Sequence, residues 1–113
     1  MVSRFLKMMP SRIDEYETLL TENRIWMART KGVGVINAKD AVAYSMTGPT
    51  LRAAGLAYDN RKVFPYSSYE EFDFNVPTRT DSDCFARYML RIAEMRESLK
   101  IIKQAMEKIT DHG

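Results

Sequence analysis

From Asp83 to about Ile109 the apolar positions Phe85, Tyr88, Ile92, Met95, Leu99, Ile102, Met106 and Ile109 recur at alternating steps of three and four residues. That period lays one stripe along an α-helix. At about 1.5 Å per residue, roughly 27 residues predict a rod of about 40 Å. Arg87, Arg91, Glu94, Arg96, Glu97, Lys100, Lys103, Glu107 and Lys108 fill the remaining positions as a solvated face. Asp81, Ser82 and Asp83 precede the first turn, where a side-chain oxygen caps free N–H groups and negative charge meets the positive end of the helix dipole. Such a helix needs partners along its seam.

The N-terminal third carries a second helical pattern. Residues 2–9 form a short amphipathic piece that Pro10 ends or kinks. Ser11, with Asp14 three residues on, is read as the start of a helix over residues 11–31. Ile13, Tyr16, Leu19, Leu20, Trp26 and Met27 form its apolar side, and Gly32 and Gly34 supply its stop. Val33, Val35 and Ile36 suggest a short extended run. Asn37, with Asp40 at the third position, caps a brief helix over residues 38–45, which Thr47-Gly48-Pro49 breaks. Residues 51–58 are ambiguous, with Gly55 in their midst. Phe72, Phe74 and Val76 alternate with Asp73 and Asn75 as in a half-buried strand, ended by Pro77. The stretch 46–80 is therefore a long connection, and such connections in small domains usually carry function or meet a partner. The predicted fold is mainly α. Two long amphipathic helices, about 11–31 and 82–109, belong to a bundle and are joined by an irregular segment with one short helix and at most a short strand over 72–76.

Composition narrows the chemistry. With 113 residues, 45% apolar and 28% charged, the chain is one small globular unit. A net charge of +2 without a basic block argues against nucleic acid or an anionic membrane as partner. No apolar run reaches a membrane span, and residues 1–9 lack the features of a secretory signal. A single cysteine, Cys84, excludes an internal disulfide and a cysteine-held cluster. It reads as a small buried hydrophobe beside Phe85, or as a thiol activated by a helix N-terminus. His112, the only histidine, lies one residue from the C-terminus, a poor place for a fixed catalytic base. Glu70, Glu71 and Asp73 are the densest acids, and solvation explains them better than metal binding. Gly32-Val33-Gly34 lacks the third glycine and preceding strand of a nucleotide loop. No catalytic residue and no metal ligand set is assigned. Arg52, Arg61, Lys62 and Tyr66, in the glycine- and proline-punctuated connection with Tyr58, Asp59 and Tyr69 nearby, are the candidate cofactor-binding residues. The arginines there either clamp a carboxylate or bracket a polar cofactor surface, or else hold the loop down by pairing with Asp59 or Glu70.

A run of motifs carries a resemblance. Asn23-Arg24-Ile25-Trp26, Arg29-Thr30-Lys31-Gly32-Val33-Gly34-Val35-Ile36, Thr47-Gly48-Pro49, Leu51-Arg52-Ala53-Ala54-Gly55 and Tyr58-Asp59-Asn60-Arg61-Lys62 follow one another in order. Pro65-Tyr66, Phe72-Asp73-Phe74-Asn75-Val76-Pro77, Asp83-Cys84, Arg87-Tyr88 and the run from Glu94 to Ile102 continue them. Together they resemble the D-type subunit of NADH:quinone oxidoreductase, respiratory complex I, a family related to nickel–iron hydrogenase large subunits. Asn60, where that family more often has an apolar residue, and Ala54, in place of a commoner serine, are departures.

The resemblance implies an internal segment of a longer helical subunit, with Met1 a fragment start rather than a domain edge. It implies an oxidoreductase that couples quinone reduction by NADH to proton translocation. The family's quinone-contacting histidine and tyrosine and the hydrogenase cysteine pairs fall outside these residues. The fragment itself is then expected to be inactive and to bind no cofactor. NADH, quinone, FMN and iron–sulfur clusters would serve the parent complex, with the bound groups held by other subunits. The implied partners are the peripheral-arm and membrane subunits, above all the small iron–sulfur subunit. The location is the cytoplasmic face of the inner membrane, or the matrix side in a mitochondrion. Two readings compete: a segment of a membrane-bound nickel–iron hydrogenase large subunit, and a non-enzymatic helical interaction module. With only each other as partners, two amphipathic helices leave a seam uncovered, so the isolated chain is expected to self-associate.

Overall fold

A computed structural model describes the backbone of residues 1–111 and the side chains of residues 1–109; His112 lies outside the described residues. Six α-helices run in the order α1 (Val2–Tyr16), α2 (Arg24–Thr30), α3 (Ala38–Ala43), α4 (Gly48–Ala53), α5 (Asn60–Val63) and α6 (Cys84–Asp111). A π turn over Glu17–Thr21 follows α1, and a 3₁₀ turn over Tyr69–Glu71 follows α5. No strand occurs among the described residues. The mainly helical reading holds, and α6 matches the predicted rod closely.

The N-terminal half of that reading needs correction. The helix expected over 11–31 begins at Val2, runs through Pro10 without a break and ends as a regular helix at Tyr16. Pro10 lies at an exposed position, so it removes one N–H donor without displacing packed side chains. Ser11 is no N-cap: its hydroxyl donates to the Met8 carbonyl at 2.9 Å. The chain then breaks at Glu22 and Asn23. Asn23 Oδ1 accepts from the N–H groups of Ile25 (2.9 Å) and Trp26 (3.1 Å) and starts α2 afresh. One consequence is that Leu19 and Leu20 of the π turn are exposed rather than part of a continuous apolar side.

α6 is the axis on which the rest is laid. Its first turn is capped by Asp83, whose Oδ1 accepts from Ala86 N at 2.7 Å while Oδ2 accepts from Gly32 N, also at 2.7 Å. One carboxylate thus joins the end of α2 to the start of α6. The Val33 carbonyl accepts from Cys84 N (2.9 Å), and the Ser82 carbonyl from Ile36 N (3.0 Å). Gly32 and Gly34, with φ of +69° and +62°, make the expected stop after α2. Asn37 caps α3 as expected, accepting from Asp40 N at 2.9 Å.

Ala53, Ala86 and Leu90 form a fully buried contact between α4 and α6. Ala41, Leu51 and Ala54 form a second cluster, covered by Ile36, Met46 and Leu56. Trp26 meets Tyr88 in a T-shaped contact at 5.5 Å, and Tyr88 shares a 3.0 Å hydrogen bond with Thr21. Arg96 of α6 reaches Asp14 at 2.9 Å and also Glu17, holding the end of α1 to α6.

The strand expected over 72–76 is an extended segment without a partner strand. Its alternation is real, since Phe74 is buried and Asp73 and Asn75 are exposed. Its backbone is paired instead with side chains of α6. Gln104 accepts from Asp73 N (2.8 Å) and donates to Asp73 O (2.7 Å), and Glu97 accepts from Asn75 N (2.8 Å).

The principal extents are 50, 34 and 15 Å. A helix with its side chains is about 10–12 Å across, so the molecule is little more than one helix thick. α1 and α6 each keep an open side. Phe5 and Met8 of α1 and Met95 and Ile109 of α6 are exposed accordingly.

Candidate functional site

The connection between α4 and α5 folds into a cleft of about 390 Å³ lined by Thr47, Gly48, Arg52, Tyr58, Asp59, Asn60, Arg61 and Tyr66. Gly48, at φ +62°, turns the chain into α4, and no atom lies within 4 Å of where its Cβ would stand. Asp59 caps α5 by accepting from Arg61 N at 2.9 Å.

Arg52 is 9% exposed. Its Nε donates to Glu94 Oε1 at 2.6 Å and its Nη1 to the Tyr58 carbonyl at 2.9 Å. It thereby ties α4 to α6 and to the loop ahead of α5. Arg61 grips Asp59 with two nitrogens: Nε lies 3.0 Å from Oδ1 and Nη2 lies 2.6 Å from Oδ2. Its guanidinium lies 4.8 Å from the Phe74 ring centre and 5.6 Å from that of Tyr69. The hydrogen bonds from Arg61 hold the Asp59 carboxyl below its usual range despite partial burial, and Asp59 in turn raises the Arg61 guanidinium.

Three of the four candidate residues, Arg52, Arg61 and Tyr66, meet in this cleft. Lys62 does not line it: its ammonium sits 4.2 Å over the Phe74 ring. Of the two expectations for the arginines, loop-holding ion pairs describe Arg61 directly. Arg52 pairs with neither Asp59 nor Glu70 but with Glu94. In the sequence pattern Glu94 belongs to the solvated face of α6, and its position along the helix gives no signal of this role. Burial of a charged side chain needs a charged partner, and only the tertiary fold brings residue 94 to residue 52.

The thiol of Cys84 is half-buried, and Arg87 Nη2 donates to it at 3.1 Å. It is therefore less enclosed and more polar in surroundings than a core hydrophobe. Among the described residues no group of three or more His, Cys, Asp or Glu side chains is placed to hold a metal ion. A second opening, apolar and about 430 Å³, runs between α1 and α6 past Phe5, Met9, Ile13, Met95, Leu99 and Ile102.

One long central helix, ion pairs that tie it to the shorter elements, and apolar side chains exposed along α1 and α6 define a mainly helical segment. The model of the family described as respiratory-chain NADH dehydrogenase, 49 Kd subunit, matches residues 1–113, and the chain belongs to that family. The chain is 63% identical over 106 residues to the first D-type subunit of the NADH-quinone oxidoreductase of Solibacter usitatus, covering 94% of this chain and 26% of the relative. It is 54% identical over 112 residues to the second D-type subunit of the same enzyme in Chloroflexus aurantiacus, covering 99% and 27%. With the D-type subunit of Acidothermus cellulolyticus the identity is 56% over 108 residues, covering 96% and 24%. The chain thus spans about a quarter of the length of the curated relatives it matches.

Proposed function

We propose that the chain is part of the quinone-reducing peripheral-arm subunit of a proton-translocating NADH:quinone oxidoreductase. In this reading it supplies bundle scaffold and a subunit interface near the iron–sulfur and quinone region, and is inert alone. The observation that carries it is the family match along the whole chain. The geometry agrees in kind: Arg52 and Arg61 are engaged by Glu94 and Asp59, as scaffold residues are, while apolar side chains stay open along α1 and α6.

The flavin and iron–sulfur clusters belong to other subunits in this reading, and the small iron–sulfur subunit is the principal neighbour. The position is peripheral, on the cytoplasmic face of a bacterial inner membrane or the matrix side of a mitochondrial one. No described helix is long and apolar enough to cross a membrane. Without those neighbours the open faces of α1 and α6 meet each other in a second copy, so sedimentation of the isolated chain should give a concentration-dependent dimer.

Arg52→Ala and Arg61→Ala in the full-length protein test the reading. Both should lower the amount of assembled complex while changing quinone reduction per assembled complex little. Wild-type assembly together with wild-type rate would remove the loop from the function. Full assembly with lost turnover would make the loop part of the chemistry and refute a scaffold role.

A further inference from the structure

The cleft has one feature that internal pairing leaves over. Arg52 has five N–H groups; Nε and Nη1 have protein partners, and Nη2 donates to none among the described residues. Nor is Nη2 sealed off, because Trp26 Nε1 is the only fully buried side-chain nitrogen or oxygen left without a partner among them. The free edge of a nearly buried guanidinium, fixed by Glu94 and the Tyr58 carbonyl, therefore keeps some contact with solvent, and Arg52 is one of the residues lining the cleft.

The remaining lining groups also have hydrogen-bonding capacity to spare. Thr47 makes no side-chain cap bond, and the Asn60 amide and the hydroxyls of Tyr58 and Tyr66 have no hydrogen-bond partner among the described residues. Each can donate. Asp59, the only carboxylate lining the cleft, is held by two nitrogens of Arg61. The hydroxyls and the amide can accept as well as donate, so the preference is set by the vacant guanidinium N–H groups, which suit a carboxylate. Among the lining residues Tyr66 is 55% exposed and Tyr58 is also open. Aromatic side chains beside a held arginine are what protein interfaces concentrate at their energetic centres.

We propose that this cleft docks an acidic side chain of a neighbouring polypeptide: the free edge of Arg52 takes the carboxylate, and Tyr58 and Tyr66 pack the segment that carries it. The inference rests on the interface reading above and adds the chemistry of the partner. Its test is a binding measurement on the 113-residue chain, so its failure leaves the assembly experiment on Arg52→Ala and Arg61→Ala standing.

The probe is a short, capped, fluorescent peptide with one central glutamate flanked by leucine, read by anisotropy. A twin carries glutamine, and sodium glutarate supplies a free carboxylate. The glutamate peptide should bind about tenfold more tightly than its twin, the scale of one charge-assisted pair. Asn60→Asp, at the exposed first position of α5 where aspartate suits a helix start, should weaken the glutamate peptide about fivefold and leave the twin unchanged. Tyr66→Ser should weaken both peptides by about threefold through lost apolar contact. Equal binding of the twins, no binding at all, or indifference to Asn60→Asp would overturn the proposal. Glutarate competing at the same concentration as the peptide would overturn the polypeptide source and leave a small-carboxylate site.

Discussion

Replacing Arg52 with alanine removes the bond to Glu94 Oε1 at 2.6 Å and the bond to the Tyr58 carbonyl at 2.9 Å. Breaking a buried ion pair costs about 3–5 kcal/mol, because the surviving charge stays out of water without compensation. The Glu94 side chain keeps 20% of its exposure, which places the cost near the lower end, about 3 kcal/mol. The lost carbonyl bond adds about 1 kcal/mol. A domain of this size holds only about 5–15 kcal/mol in all, so Arg52→Ala should be strongly destabilised or unfolded at room temperature. Arg52→Met with Glu94→Met removes both charges and keeps apolar volume, and should lie within about 1 kcal/mol of the parent chain. Urea denaturation followed by circular dichroism, at fixed protein concentration because self-association shifts midpoints, gives the double-mutant cycle. With Arg52→Met and Glu94→Met as the singles, each costing about 3–4 kcal/mol, and the pair at most about 1 kcal/mol, the expected coupling between the positions is about 5–7 kcal/mol. A single substitution costing under about 0.5 kcal/mol, or a double variant less stable than Arg52→Ala, would refute the argument that this pair is buried and interdependent.

Two further substitutions probe the elbow between α2 and α6. Burial works to raise the Asp83 carboxyl, but the N–H groups of Gly32 and Ala86 and the charge of Arg87 outweigh it and hold the group below its usual range. Its stabilisation is therefore fully present above the unfolded aspartate value of about 3.9 and is lost as pH falls through the folded value. Asp83→Asn should cost about 1–2 kcal/mol at neutral pH and flatten the acid limb of the stability curve, which denaturation between neutral and strongly acidic pH would read; an unchanged limb contradicts the clamp. Gly34→Ala should cost more than Gly32→Ala. Both have positive φ, but only at Gly34 would the new Cβ stand 3.1 Å from Arg87 Nη2 and 3.2 Å from Cys84 Sγ. Equal thermal midpoints for the two variants would count against the packing described there.

α6 is legible in the sequence nearly to its ends because the three-four alternation, an aspartate cap and the absence of proline agree along its whole length. The glycine stop after α2 and the Asn37 cap of α3 are legible for the same local reason. α1 departs from its pattern because proline inside a helix is only a statistical break, and at an exposed position its cost is small enough for the flanking turns to absorb. Asn23 carries the missed boundary signal: a capping residue directly before Arg24, Ile25 and Trp26, masked by an apolar spacing that continues across the break. The strand pattern captures the inward alternation of Phe72, Phe74 and Val76 but not the partner, since Gln104 and Glu97 lie on a helix remote in sequence. The loop arginines are legible as residues to watch. Their partners divide by distance along the chain: Asp59 is two positions from Arg61 and is anticipated, whereas Glu94 is 42 positions from Arg52 and is not.

Grafting residues 1–113 in place of the matching quarter of a curated relative tests the central claim most directly. The chimera is expected to assemble with the relative's other subunits and to reduce quinone with NADH, while the isolated chain does neither. A chimera that folds but neither assembles nor turns over, or an isolated chain that oxidises NADH unaided, would contradict the claim.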